Sequence, residues 1–205
     1  MSTAIRTLTL YNFNTSYTFG KVEAIAEKDP SVTSRLNRMK ETYEKEGIRK
    51  TVEAIIIVHD HNHPHILLLQ IANSFYKLPG GKLKPGEDEV EGLIRKLTKK
   101  LSPIIGQSSD TSPFEVVDHV ATWWRPNFEP QLYPYIPPHI SKPKECRKLY
   151  VVTLPEKCTF ALPKNFQLRA LPIFDLFNNA QNYGSIISCI PQLISTYNFV
   201  YLNVD

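Results

Sequence analysis

The sequence predicts an α/β protein: a mixed β-sheet sandwiched between α-helices, with N- and C-terminal helical extensions. Three observations predict it. Apolar, β-branched runs at 51–58 and 66–71 read as two antiparallel strands around a polar connection. Val90, Leu93, Ile94, Leu97 and Leu101 recur at three- and four-residue steps and give one apolar helix face. Strand candidates at 114–124, 148–154 and 166–171 follow that helix, as a sheet covered by helices requires. At 205 residues, 42% hydrophobic and 21% charged, the chain suits one domain with a sizeable core. No apolar run approaches the roughly 20 residues that span a bilayer, and the N-terminus does not read as a signal peptide.

The elements follow in order. Residues 5–13 alternate well enough for a strand, and 14–20 read as a polar, aromatic-bearing loop. Asp29 reads as an N-cap with Pro30 at the first helical position; Val32, Leu36, Met39 and Tyr43 form one stripe, and Gly47 ends that helix. His59, His61, His63 and His65 alternate between the first two core strands, either as surface-loop histidines or as a zinc site, with the turn expected at 62–64. In 72–78 an extended backbone sends Phe75 and Tyr76 to opposite faces, so one ring should meet a cleft. After the central helix, 102–113 reads as a polar linker. The stretch 126–143 is proline-rich and stiffened, and bears Phe128, Tyr133 and Tyr135. The tail reads as helical, with Pro191 either kinking the helix or opening a second one. Residues 1–50 thus form an N-terminal extension packed on the core, 51–180 the core, and 181–205 a C-terminal helical segment.

Composition narrows the chemistry. Cys146, Cys158 and Cys189 are widely spaced and lack a CxxC pair, which argues against a disulfide framework and a cysteine zinc site, and for a reducing, intracellular compartment. A net charge of +4 permits contact with a polyanion without demanding it, so any nucleic-acid recognition must come from a shaped site.

The loop before the central helix is punctuated by Gly80, Gly81, Pro85 and Gly86. Gly81, Glu87 and Arg95 stand at the spacing G-x5-E-x7-R, after which positions 96, 99 and 100 are all lysine. Loop and helix resemble the Nudix box, whose pattern continues with glutamates at those three positions. The three share a helix face, where glutamates would present carboxylates to magnesium. Lysine offers donors and no acceptor, and clustered ammonium groups repel a dication. The lysines either face water, with the acidic residues of the first turn opposing them along the helix dipole, or attract phosphate.

Longer strings widen the resemblance to nearly the whole chain. YTFG at 17–20, EKD at 27–29, RKTVE at 49–53, LPGGKLKPGEDEVEGL at 78–93, WWRPNFEP at 123–130, YPYIP at 133–137, HISKPKE at 139–145 and YGSIIS from 183 are similar to the small, Nudix-fold subunit of pre-mRNA cleavage factor Im. The resemblance implies a homodimeric, nuclear, catalytically silent Nudix fold that reads the single-stranded RNA element UGUA and binds a larger, RNA-recognition-motif subunit. It implies no catalytic residue, no metal, no cofactor and no membrane. The RNA-contacting positions it implies are Glu27, Arg35, Glu53, Ser74, Phe75, Leu78, Tyr183 and Gly184, with Ser74 where the family commonly has threonine. Their chemistry suits exposed bases: arginine and glutamate complement base edges, an aromatic ring stacks, and glycine admits RNA to the backbone. Read alone, Glu53 is equally a solvent-facing strand residue and Arg35 a helix-surface charge. The large-subunit contacts it implies are Tyr133, Tyr135 and Leu193, where the alternative is packing of the loop on its own domain. Two other functions stay open: hydrolysis of nucleoside diphosphate derivatives or binding of a dinucleotide polyphosphate, and a protein-interaction scaffold.

Overall fold

The structure, a computed structural model, describes residues 6–25, 29, 31–71, 75–101, 103–104 and 112–203. In chain order, β1 (Arg6–Tyr11) passes through the single turn α1 (Phe13–Ser16) into β2 (Tyr17–Val22), and α2 (Val32–Glu46) leads to β3 (Arg49–Asp60) and β4 (His63–Ile71). The short strands β5 (Phe75–Lys77) and β6 (Gly80–Lys82) precede α3 (Glu89–Leu101). Then come β7 (Pro103–Ile104), β8 (Glu115–Arg125), β9 (Glu145–Thr153), β10 (Cys158–Pro163) and β11 (Phe166–Pro172). The chain closes with α4 (Ile173–Leu176), α5 (Ala180–Ser188), α6 (Ile190–Leu193) and β12 (Tyr197–Leu202).

The main sheet runs β11-β4-β3-β9-β8, with β5 on the far end of β4 and β6 on the start of β3. It is mixed because β3 lies parallel to β9 and antiparallel to β4 and β6. Strand alternation divides its side chains between two cores. Val52, Ala54, Ile56, Val58, Tyr150 and Val152 pack with Leu93, Leu97 and Leu101 of α3 and with Phe160 and Leu162 of β10. Ile55, Ile57, Leu149 and Val151 point the other way, to Leu8 and Leu10 of β1, Tyr197 of β12, and Ile186, Ile187 and Ile190 of α5 and α6. Each fully buried leucine of α3 contributes about 1.5–3 kcal/mol, which explains why that helix forms on the periodic face the sequence shows.

Several elements differ from the sequence reading. The cap of α2 is Ser31, whose hydroxyl accepts from the Ser34 N–H, because Asp29 is committed to a bidentate pair with Arg38 at 2.8 and 2.6 Å. Gly47 ends the helix as expected, at φ 73°. The turn after β3 falls at His61 and Asn62, both at positive φ, so His63 and Pro64 belong to β4. Residues 17–22 are a strand rather than a loop, paired in parallel with β10. The tail bends at Gly184, resumes as α6 with Pro191 in its first turn, and ends in β12, which pairs in parallel with β1.

Candidate nucleic-acid interface

The odd-numbered residues of β3 and β9 face away from α3, and near the strand starts they are polar: Arg49, Thr51 and Glu53 beside Glu145 and Arg147. A carboxylate on a sheet face is stable there only with partners, and Glu145, fully buried, has four. It accepts from Thr51 Oγ1 at 2.8 Å and Arg125 Nε at 3.0 Å, with Arg49 Nε and Arg147 Nη2 both at 3.4 Å. Burial alone would raise the Glu145 carboxyl; Arg147, Arg49 and Arg125 reverse that and bring it down to about 2. Arg147 reaches onward through Nη1 to Glu53 Oε1 at 3.3 Å. Burial lowers the proton affinity of Arg49 and Arg125, Glu145 opposes this, and the charge of Arg35 adds to the lowering, so the first turn of α2 stands within electrostatic reach of the cluster.

Glu53 also marks where the glycine loop meets the sheet. Its register partner on β6 is Gly80, and Ala54 N–H donates to Pro79 O at 2.8 Å. Leu78, 3% exposed, anchors the approach to this loop in the α5 side of the core. On β5, Phe75 pairs with Ile71 and Tyr76 with Gln70, so alternation turns Phe75 to the α3 side and Tyr76 to the α5 side. Tyr76 meets Tyr183 with ring centroids 5.2 Å apart, whereas Phe75 stays 57% exposed at the sheet edge. Burial, then Tyr76 and Asp175, raises the Tyr183 phenol. Gly184, at φ 80° and ψ 162°, breaks α5 next to that ring, with nothing within 4 Å of where a Cβ would stand.

The expected residues Glu53, Leu78, Tyr183 and Gly184 therefore lie around one face, Phe75 at its rim, and Arg35 beside the arginine cluster. Glu27 and Ser74 lie outside the described residues. Two neighbours were not singled out by sequence reasoning. Tyr76 carried a signal, since one ring of the Phe-Tyr pair had to meet a cleft. Arg147 carried none, because only the register of β9 against β3 reveals which lysine or arginine of the RK pair faces Glu53.

On the α3 side, the half-motif proves to be a brace. Arg95 donates to both oxygens of Glu87, at 2.5 and 2.7 Å, and Glu87 also accepts from Lys84 N–H at 2.8 Å. The Arg95 hydrogen bonds, then the Lys84 N–H, hold the Glu87 carboxyl down at about 2. The stem of Lys96 lies across Gly81, where an added Cβ would sit 3.3 Å from its Cδ. Glu89 is taken up by Lys148 Nζ at 2.8 Å and the Tyr150 hydroxyl. Among the described residues, no group of three or more His, Cys, Asp or Glu could hold a metal ion. His59 is buried with Nε2 at 2.8 Å from Leu202 O, while His63 packs on Phe174 and His65.

The expected partner positions are less uniform. Tyr133 is half-buried and exchanges both main-chain hydrogen bonds with Trp124, at 2.7 and 2.8 Å, and its ring lies 5.8 Å from that of the exposed Tyr135. Leu193 is not an exposed residue: it packs against the α5 side of the core and is only half-accessible, because α6 is a single turn seated on that core. The loop is also tied to α2, with Lys144 Nζ 4.4 Å from the Tyr43 ring and Phe128 edge-on to the same ring at 5.7 Å. No helix among the described residues is long and apolar enough to cross a membrane.

Known proteins resemble the chain at two levels. The nucleotide-hydrolase family NUDIX_2 matches residues 6–197. Cleavage and polyadenylation specificity factor subunit 5 of Dictyostelium discoideum is 67% identical over 202 residues, covering 98% of this chain and 100% of that protein. Pre-mRNA cleavage factor Im 25 kDa subunit 2 of Arabidopsis thaliana is 56% identical over 200 residues, covering 97% and 96%. Among solved structures, the Ap4A hydrolase of C. elegans is similar at TM-score 0.47 and 18% identity, over 72% of this chain and 96% of that one. With its family match spanning both cores and its relatives matched end to end, the chain belongs to the Nudix-fold family of cleavage factor Im small subunits.

Proposed function

We propose that the protein binds single-stranded RNA containing UGUA, in nuclear pre-mRNA 3'-end cleavage and polyadenylation. The observation that carries this reading is the Glu53–Arg147 pair, an acceptor held at 3.3 Å by a largely buried guanidinium beside the Gly80 backbone, with the exposed ring of Phe75 at the β5 edge. Such a set reads base edges and stacks a base, and a net charge of +4 is too small for a phosphate-driven grip. An RNA strand crossing the sheet at the β5 edge would meet Phe75 on one side and Glu53, Tyr76, Tyr183 and Gly184 on the other, with Arg35 nearby. Phe75→Ala should weaken UGUA binding by about 1–3 kcal/mol, the worth of one base–aromatic stack. A titration of UGUA against a scrambled tetranucleotide at matched salt checks the reading. Equal affinity for both would leave only a scaffold role.

The protein does not hydrolyse nucleotides in this proposal. Glu87 is locked by Arg95, and Lys96, Lys99 and Lys100 stand where a metal would need carboxylates. Incubation with a dinucleotide polyphosphate and magnesium or manganese should give no turnover; hydrolysis lost on Glu87→Gln would overturn this point.

It also acts as a homodimer with a larger subunit that carries an RNA-recognition motif. Tyr135, 57% exposed beside Tyr133 on a proline-stiffened loop, is a rigid interface anchor, and Leu193 on the α5 side is a further contact. Tyr133→Ala with Tyr135→Ala should reduce pull-down of that subunit while Tm holds. A collapse of Tm instead would assign the rings to loop packing.

A further inference from the structure

We infer that Arg147 is a positioning residue for base recognition: it hangs from the buried Glu145 carboxylate and holds the Glu53 side chain pointed at the RNA. The inference rests on the RNA reading above.

The geometry gives Arg147 a role that neutralising Glu145 does not require. Thr51 and Arg125 already reach that carboxylate at 2.8 and 3.0 Å, and Arg49 approaches it at 3.4 Å. Arg147 is the one member of the cluster that touches both acids, Glu145 through Nη2 at 3.4 Å and Glu53 through Nη1 at 3.3 Å. Its Nε is buried without a hydrogen-bond partner, so the fork is oriented by its two terminal nitrogens alone. Register confines it further, between Thr51 on β3 and Trp123 on β8. The ion pair runs to Oε1 of Glu53. A carboxylate has two oxygens and about four lone-pair sites, so Glu53 can accept from a base N–H while it stays paired. Among the described residues Arg147 supplies the ion pair to Glu53, and without that guanidinium the Glu53 side chain, on a half-buried sheet face, is free to swing toward water.

A residue that acts through another must show it in a coupled measurement. Affinities for UGUA and for its four single-base replacements are compared in the wild type, Glu53→Gln, Arg147→Met and the double variant, with Arg147→Lys as the charge-keeping control. Arg147→Gln, which leaves Glu145 a hydrogen-bond donor, substitutes if the methionine variant does not fold. Arg147→Met should lower the preference at one base position about tenfold, the same position and factor as Glu53→Gln. The double variant should lose no more than either single one, and Arg147→Lys should keep most of the preference. Multiplying losses in the double variant, or an equal loss for all five RNAs in Arg147→Met, would overturn the inference while the RNA reading stands. Absence of any preference in the wild type would overturn both.

Discussion

Replacing Glu145 with alanine should destabilise the fold by about 3–5 kcal/mol, because Arg49, Arg125 and Arg147 then lose the counter-ion they share. The loss is not local. Arg125 also donates to Glu129 O at the start of the proline-rich loop, and Lys144 N–H donates to Arg125 O at 2.7 Å at its end, so both ends of the loop hang on this cluster. Urea denaturation gives the number, and a change below about 1 kcal/mol would mean that water screens the cluster. Acid should produce a graded version of the same effect. The folded-state carboxyl is depressed, so its stabilising contribution is complete above the ordinary carboxylate range and is lost as pH falls from 4.5 through about 2. Glu145→Gln should flatten that part of the stability profile.

Gly80→Ala should be comparably severe, at about 2–5 kcal/mol. Gly80 sits at φ 146°, and a Cβ there would lie 2.2 Å from Val52 O and 2.7 Å from Glu53 Cα, both backbone atoms that no rotamer can move aside. Relief would have to come from separating β6 from β3, which displaces Glu53 as well. Thermal unfolding should show the loss, and RNA preference should fall in the same variant. A Tm within a degree of the wild type would show that β6 can shift freely. Gly86→Ala is the matched control: it meets nothing within 4 Å and carries only the strain of φ 74°.

The parts of this fold that could be read in advance are those whose signal is local. The α3 stripe, the β3 and β4 runs and the stop at Gly47 each follow from a short window and were found where the periodicity put them. The rest depends on distant partners. Asp29 looks like a cap until Arg38 claims it, and the strands 17–22 and 197–202 are extended only because β10 and β1 lie beside them in parallel. The site divides in the same way. Glu53, Phe75 and Tyr183 were named through resemblance, whereas Arg147 and Tyr76 stand out once register fixes which neighbours share a face. That Leu193 is partly covered was not legible, because a helical tail gives no hint that its last turn is seated on the core.

The pleat of β3 and β9 has one more consequence. It makes the central sheet a partition: Lys96 and the Glu87–Arg95 brace lie with one core, and Glu53, Arg147 and Glu145 with the other. Substitutions on opposite sides share no contacts, so their energies add and neither side registers what the other has become. At the β5 edge, Phe75 and Tyr76 turn to opposite sides, so the two compartments adjoin there.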